Sequence, residues 1–154
     1  MFRFTKEQRV CELSGIKIGG QPGDYPPLLI ASMFHNKDRI LIDRKGNFDR
    51  QKASELIKKQ EELSASTGIP GMVAMVANTP EEAQIYIDFF LETTSMPFGI
   101  DMWVAEKRAK ATEYIAKIGA QDKFLYNSIT PWDKDITGQV NKLKDLGVKH
   151  VVVQ

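Results

Sequence analysis

Several polar side chains stand where short apolar runs of the sequence end, and these residues could recognise a ligand. Asn78, Asp101, Asn127 and Ser128 each follow such a run. In parallel α/β folds, strand ends and helix starts meet at one rim, and ligands bind there. A buried polar group without a partner costs about 1–3 kcal/mol, so these groups favour a bound ligand. The sequence therefore predicts a ligand-binding rim, although it identifies no catalytic residue.

Each of these residues also has a purely structural interpretation. Asn78 is more readily explained as the start of the turn before a helix. Asp101 could cap the next helix, but the two residues that follow it are apolar, so we expect its carboxylate to face the rim. Asn127 and Ser128 could equally cap a loop. The pattern alone therefore favours ligand binding somewhat at Asp101 and leaves the other assignments open.

Two tryptophans follow rim strands, and a flat ligand would suit them. Trp103 and Trp132 either form the walls of such a site or pack beneath loops. A zinc site is not expected, because the two histidines lie far apart and Cys11 is the only cysteine. His150 falls inside a predicted strand, where a packed histidine is the simpler interpretation. The lone cysteine also rules out an internal disulfide and fits a reducing compartment.

The elements that position these residues repeat as strand, loop and helix. Short apolar runs are typical of parallel strands covered on both faces. Thr79 and Pro80, followed by Glu82, form a strong helix start, and Gly119 and Gly147 end two later helices. The predicted strands are 28–33, 71–77, 97–101, 123–127 and 149–153, and the predicted helices are 49–65, one beginning at 80, 104–118 and 135–146.

The N-terminal segment differs in pattern from the strand–loop–helix repeats, and the first repeat is longer than the others. Residues 1–25 alternate like a two-stranded β-ribbon turned at Ser14 and Gly15, which could cover the lower mouth of a barrel. Residues 26–154 form the predicted α/β domain. Segment 34–49 is inserted after the first strand and contains a possible short hairpin. The final strand has no covering helix, so we expect further polypeptide to complete the fold.

Composition narrows the classes of partner. The formal net charge is +1, which gives no electrostatic reason to expect nucleic acid. The sequence shows neither a signal peptide nor an apolar run near the ~20 residues that span a bilayer, so no membrane insertion is expected. The expected location is the cytoplasm.

Several segments, spread in order over essentially the whole chain, carry a family resemblance. They are Met1-Phe-Arg-Phe-Thr-Lys-Glu-Gln8, Gly15-Ile-Lys-Ile-Gly-Gly-Gln-Pro-Gly-Asp-Tyr-Pro26, Lys45-Gly-Asn-Phe-Asp49, Asn78-Thr-Pro-Glu-Glu-Ala83, Ile100-Asp101 and Leu125-Tyr-Asn-Ser-Ile129. The chain resembles the H subunit of tetrahydromethanopterin S-methyltransferase and its methylcorrinoid:tetrahydrofolate methyltransferase relatives. It is more distantly similar to dihydropteroate synthase. The resemblance implies the N-terminal half of a (β/α)₈ TIM barrel, with about five parallel strands and four helices.

The resemblance also implies a site and a reaction. Asp101 and Asn127 would hold the pterin ring, with Ser128 and Asn78 completing the set. A methyl group would pass between a tetrahydropterin, either tetrahydrofolate or tetrahydromethanopterin, and a corrinoid carried by a partner protein. That protein would dock on segment 34–49, where His35 and Asn36 are candidate contacts, although a solvated loop is the simpler interpretation of His35. The bulky residues Met102 and Trp103 depart from the family and could reshape the pocket.

Two other interpretations of the sequence remain open. The chain could be a non-catalytic half-barrel module, completed by a second copy of itself or by a complementary C-terminal half, because its fifth strand is left bare. A complete flavodoxin-like domain ranks last, because no phosphate-binding loop follows the first strand.

Overall fold

The computed structural model describes residues 2–43 and 45–154. It begins with an antiparallel ribbon of β1 (Val10–Leu13) and β2 (Ile16–Gly19). The chain turns at Ser14 and Gly15, whose φ angles are 51° and 82°. Glycine adopts positive φ without steric cost, which explains the position of the turn. The predicted ribbon is confirmed, and its role as a cover for the barrel mouth stays a prediction.

The remaining strands form one parallel sheet in chain order. They are β3 (Leu29–Met33), β4 (Gly71–Val76), β5 (Phe98–Asp101), β6 (Phe124–Ile129) and β7 (His150–Val153). The helices between them are α1 (Arg50–Thr67), α2 (Pro80–Thr93), α3 (Ala105–Lys117) and α4 (Ile136–Asp145), with a short 3₁₀ turn at Gln121–Lys123. A parallel sheet in sequential order with alternating helices is the architecture of half a (β/α)₈ barrel, as predicted.

The predicted helix starts are confirmed by their caps. Asp49 accepts a hydrogen bond from the backbone N–H three residues on, at 3.1 Å. Thr79 accepts one from the N–H of Glu82 at 3.2 Å. The Glu82 carboxylate reaches back to the backbone N–H of Asn78 at 2.8 Å, one residue before the cap. These bonds satisfy N–H groups that a helix leaves without internal partners.

The hydrophobic core lies between the sheet and its helices. An aromatic cluster anchors it at the β3 end, where the rings of Phe34 and Tyr86 stack with centroids 4.0 Å apart. The other buried members come from every strand of the sheet except β7 and from all four helices, and they include Val73, Met75, Ala83, Phe90, Phe98, Ile100, Met102, Ile115, Phe124 and Leu143. This core fixes the helices on one face of the sheet only.

The apolar pattern of α1 predicts a buried stripe of Leu56, Ile57 and Leu63, which is confirmed only for Ile57. Leu56 and Leu63 are each 52% exposed, whereas Ala53 and Ile57 are buried. The contacting stripe continues from Ile57 to Gln60, whose amide donates to the carbonyl of Met72 at 3.0 Å.

The apolar pattern of α2 predicts Ala83, Ile85, Tyr86, Phe89 and Phe90 as buried, and all are confirmed except Ile85, which is 40% exposed. Ile87, which that pattern omits, is buried.

The opposite face of the sheet carries two rows of residues in register, and no helix formed by residues 2–43 and 45–154 packs on it. One row contains Ala74, Gly99, Leu125 and His150, and the next contains Val76, Asp101, Asn127 and Val152. In a closed barrel this face would point to the interior. At the edge strand β3, the register places Ile30 on this face, where it is 54% exposed. The sheet therefore presents an open, partly apolar face with polar residues near its carboxyl end.

Within residues 2–43 and 45–154, no helix combines the length and the apolar character needed to cross a membrane.

Candidate functional site

A cavity of about 680 Å³ opens at the carboxyl ends of β5 and β6. It contains three of the four side chains that the sequence predicted to bind a pterin, namely Asp101, Asn127 and Ser128. The rest of the lining comes from the loops that follow these strands, from α3 and from the last residue: Met102, Trp103, Arg108, Thr130, Trp132, Asp133 and Gln154. Three of the four predicted rim residues therefore lie in a single cavity.

Sheet register brings Asp101 and Asn127 together. The two residues are direct partners on neighbouring parallel strands, whose backbones lie ~4.8 Å apart. Both belong to the row on the open face. A carboxylate and a carboxamide therefore point side by side into the same cavity.

A β-bulge explains why Ser128 joins them. The register of β6 against β7 shifts between Asn127 and Ile129, so Ser128 has no opposite partner. In a regular strand, consecutive side chains point to opposite faces, but a bulge re-aims one of them. Asn127 and Ser128 consequently both line the cavity, and Ile129 returns to the hydrophobic core.

The interpretation of Asp101 as a helix cap is wrong, and neither Asn127 nor Ser128 caps the helix that follows them. The residue that caps α3 is Val104, and no side chain bonds to that helix start. Helix α4 is capped by Asp135, which accepts from the N–H of Gly138 at 2.8 Å. Among residues 2–43 and 45–154, no group donates a hydrogen bond to the Asp101 carboxylate, and the side-chain amide of Asn127 has no hydrogen-bond partner. Both polar groups therefore keep their full bonding capacity for a ligand.

A buried arginine, which the sequence analysis missed, links the elements of the site. The Arg108 side chain is 8% exposed, and its Nε donates to the Tyr126 hydroxyl at 2.9 Å. One Nη donates to the carbonyl of Met102 at 2.8 Å, and the other lies 3.8 Å from the Asp133 carboxylate. Each anchor is the chain neighbour of a cavity residue: Met102 adjoins Asp101, Tyr126 adjoins Asn127, and Asp133 adjoins Trp132.

The electrostatics of Asp133 fit this arrangement. Its carboxylate accepts from the backbone N–H of Thr130 at 2.6 Å. That bond, supported by side-chain hydrogen bonds from Gln139 and Thr130 and by the Arg108 charge, holds the pKa of Asp133 below its ordinary value. The group therefore stays ionised beside the guanidinium, which stabilises the loop after β6.

Sequence reasoning could have found Arg108 from its spacing. Residues 108, 111, 112 and 115 are the buried positions of α3 and follow the i, i+3, i+4, i+7 pattern of a buried helix face. Arg108 stands among five other charged residues in α3, which makes the whole segment look like a solvated surface. Its helical spacing from Ala111 and Ile115 is the signal that separates Arg108 from the exposed charged residues of α3.

The two tryptophans do not pack beneath loops. Trp103 is 98% exposed and Trp132 is 82% exposed, and both line the mouth of the cavity. Met102 instead takes the inward position, where it is 2% exposed in the core. Of the two bulky residues that could reshape the pocket, Trp103 lines it at the mouth and Met102 lines it from the core.

Asn78 lies apart from this cavity. Its amide donates to the Glu82 carboxylate at 3.1 Å, and it lines a second cavity of about 310 Å³ together with Asn36 and Tyr86. Burial, with the negative charges nearby, raises the pKa of Tyr86 to about 12. The assignment of Asn78 to pterin binding stays a prediction, and its observed bonds are those of a helix start.

His35 borders a groove of about 560 Å³ outside the strand ends. Its side chain is 53% exposed, and its Nε2 lies 4.0 Å from the Asp38 carboxylate. The groove carries both basic and acidic side chains, Lys37, Arg39 and Lys52 with Asp38 and Glu55, around an apolar floor. In the inserted segment, Leu41 and Phe48 form an isolated antiparallel bridge, as the possible hairpin predicted. The docking role of His35 and Asn36 stays a prediction.

A search for metal-binding geometry found no group of three or more His, Cys, Asp or Glu side chains placed to hold an ion, within the part of the chain that the structure describes.

A half-barrel with free hydrogen-bonding groups at the carboxyl ends of its strands belongs to the (β/α)₈ class of ligand-binding proteins. The sequence model of the family described as "Tetrahydromethanopterin S-methyltransferase MtrH subunit" matches residues 6–153. The chain belongs to this family, and the resemblance found in its sequence is confirmed.

Individual relatives agree with the family match. The chain is 45% identical over 130 residues to the H subunit of tetrahydromethanopterin S-methyltransferase from Methanothermobacter marburgensis. It is 44% identical to the same protein of Methanothermobacter thermautotrophicus and 43% identical, over 131 residues, to that of Methanosarcina acetivorans. Each alignment covers 84% of this chain and 42% of the relative. The chain thus spans less than half the length of these relatives.

Proposed function

We propose that this chain supplies the pterin-holding part of a methyltransferase. The reaction moves a methyl group between a methylated corrinoid protein and a tetrahydropterin, either tetrahydrofolate or tetrahydromethanopterin. The observation that carries the proposal is the side-by-side placement of Asp101 and Asn127 with free polar groups in one cavity. Membership of the MtrH family supports the choice of a pterin as the ligand.

The donor and acceptor chemistry of the cavity fits a pterin. The 2-amino-4-oxopyrimidine edge of the ring offers adjacent N–H groups, and the Asp101 carboxylate can accept two of them in charge-assisted hydrogen bonds. The Asn127 amide both donates and accepts, so it can satisfy a neighbouring ring nitrogen and a second ring group. Ser128 adds a hydroxyl at the same level of the cavity. The carboxylate and the amide therefore orient the ring edge toward the strand ends.

The reacting atom then faces the mouth of the cavity. Pterin N5 lies on the side of the bicyclic ring away from the 2-amino edge, so a ring held at the strand ends presents N5 outward. The corrinoid, on a separate protein, supplies the methyl exchange itself when it is bound over the mouth. The residues of this chain bind and orient the pterin, which lowers the entropic cost of bringing the two reactants together.

The experiment is a calorimetric titration of tetrahydrofolate and of tetrahydromethanopterin into the wild-type chain and Asp101→Ala, without oxygen. We expect at least one pterin to bind and Asp101→Ala to weaken that binding by about tenfold or more, because charged hydrogen bonds are worth ~1.5–3 kcal/mol. Asp145→Ala, at the exposed end of α4, is the matched control and should bind like the wild type. Equal affinity of Asp101→Ala and the wild type would exclude Asp101 as a pterin ligand.

We also propose, as a second function, that the half-barrel is an assembly unit completed by another chain. The open sheet face favours this, because Ile30 lies on it and is 54% exposed, and the edge strands also expose Leu29 and Val153 on the helix side. Exposed apolar strand edges associate readily. The covering partner is a second copy of this chain or a complementary C-terminal half. Light scattering tests it, and a monodisperse monomer whose state does not change when a complementary half is added would contradict it.

A further inference from the structure

We propose that Trp103 and Trp132 bind the arylamine tail of the tetrahydropterin, and so select substrates that carry one. This inference rests on the proposed function, because it assumes that Asp101 and Asn127 hold the pterin ring. The tail is common to tetrahydrofolate and tetrahydromethanopterin. In both, an aromatic amine is joined through a one-carbon link to C6 of the ring, next to N5.

The orientation of the bound ring directs its tail toward the mouth of the cavity. Asp101 and Asn127 lie at the strand ends, where they bind the 2-amino-4-oxo edge. C6 lies at the other end of the bicyclic ring, so the tail must leave the cavity through its mouth. Trp103 and Trp132, on the loops after β5 and β6, stand at that mouth.

The two indoles at the mouth are exposed and offer an apolar surface to a ligand. At 98% and 82%, nearly all of their apolar surface faces water. Large aromatic side chains are normally substantially buried, so two exposed indoles lining one cavity indicate a surface that an apolar ligand covers. The arylamine ring offers the flat, electron-rich surface that stacks on indole.

The hydrogen-bonding network around Arg108 anchors the two loops that carry the tryptophans. Its guanidinium bonds to the carbonyl of Met102, which immediately precedes Trp103, and lies beside Asp133, which immediately follows Trp132. Both tryptophan loops are thereby fixed to the same buried cation. The anchored loops fix where the two indoles stand at the mouth, and the indoles themselves are ordered when the ligand stacks on them.

The test compares a pterin with its tail-less analogue. Tetrahydrofolate and 6-methyltetrahydropterin are titrated by calorimetry into the wild-type chain, Trp103→Ala, Trp132→Ala and Asp101→Ala. Each tryptophan variant should weaken tetrahydrofolate binding about three- to tenfold, the range expected for one aromatic stack, and leave 6-methyltetrahydropterin within about twofold. Phe2→Ala removes a 68% exposed aromatic ring outside the cavity and is the matched control. Circular dichroism checks that each variant is folded.

The outcomes separate this inference from the proposed function. Asp101→Ala should weaken both ligands, because it acts on the shared ring. If the tryptophan variants weaken both ligands equally, or neither, the tail assignment is overturned while the Asp101 result still stands. Equal affinity of the wild type for the two ligands would also overturn it, since the tail would then contribute nothing. If the wild type binds neither ligand, the proposed function fails and this inference fails with it.

Discussion

Replacing Arg108 by methionine tests whether one buried cation holds the site together. Methionine has a similar length and fills the space, so the change removes the guanidinium with little cavity formation. The Met102 carbonyl then loses its 2.8 Å donor, and the Asp133 carboxylate loses a cation 3.8 Å away. The Tyr126 hydroxyl keeps a contact with Gln139 at 3.4 Å. An unsatisfied buried acceptor costs ~1–3 kcal/mol, and a weakened charge contact adds a smaller amount.

We therefore expect Arg108→Met to lower the free energy of unfolding by about 2–4 kcal/mol, measured by urea denaturation. Arg108→Met combined with Asp133→Asn should cost less than the sum of the two single changes, because the carboxylate is no longer left unpaired. Lys110→Met, on the exposed side of the same helix, is the control and should change stability little. A loss below about 1 kcal/mol, or strict additivity with Asp133→Asn, would refute the proposed network.

Two further predictions concern a helix start and a titrating histidine. Thr79→Ala should lower the free energy of unfolding by about 1 kcal/mol, because it removes the cap on the N–H of Glu82. Urea denaturation measures this loss, with Thr137→Ala at an exposed position as the control. Equal losses in the two variants would contradict the prediction. Burial and the Lys149 charge lower the pKa of His150 from 6.5, so the folded state binds this proton less readily than the unfolded state. Its contribution to stability is therefore complete above pH 6.5 and is lost as pH falls toward the folded pKa. His150→Gln should flatten that part of the pH–stability curve, and an unchanged slope would show that His150 is not its source.

The parts of the fold that depend on local chemistry could be predicted from the sequence. Caps are local, so Asp49 and Thr79 marked helix starts correctly. The turn at Ser14 and Gly15 was also predicted correctly, because few residues adopt positive φ without strain. The pairing of Asp101 with Asn127 in one cavity followed from their common place at strand ends, since parallel strands bring such ends together.

Features that depend on long-range packing could not be predicted in this way. The rotation of α1, which exposes Leu56, depends on how the helix packs against the sheet. The bulge that turns Ser128 into the cavity depends on the register between two strands, which no short segment encodes. The spacing of Arg108 places it in phase with the buried stripe of α3, but its partners come from three separate elements that only the folded chain brings together.

The most direct test of the central claim is the affinity of the pterin ring alone for Asp101→Asn. This change keeps the size of the side chain but removes the charge and places N–H donors against the N–H groups of the ring. Calorimetry with 6-methyltetrahydropterin should show binding weakened by about 10- to 100-fold relative to the wild type. Affinity within about twofold of the wild type, in a variant shown to be folded, would contradict the assignment of Asp101 and Asn127 as the residues that hold the pterin.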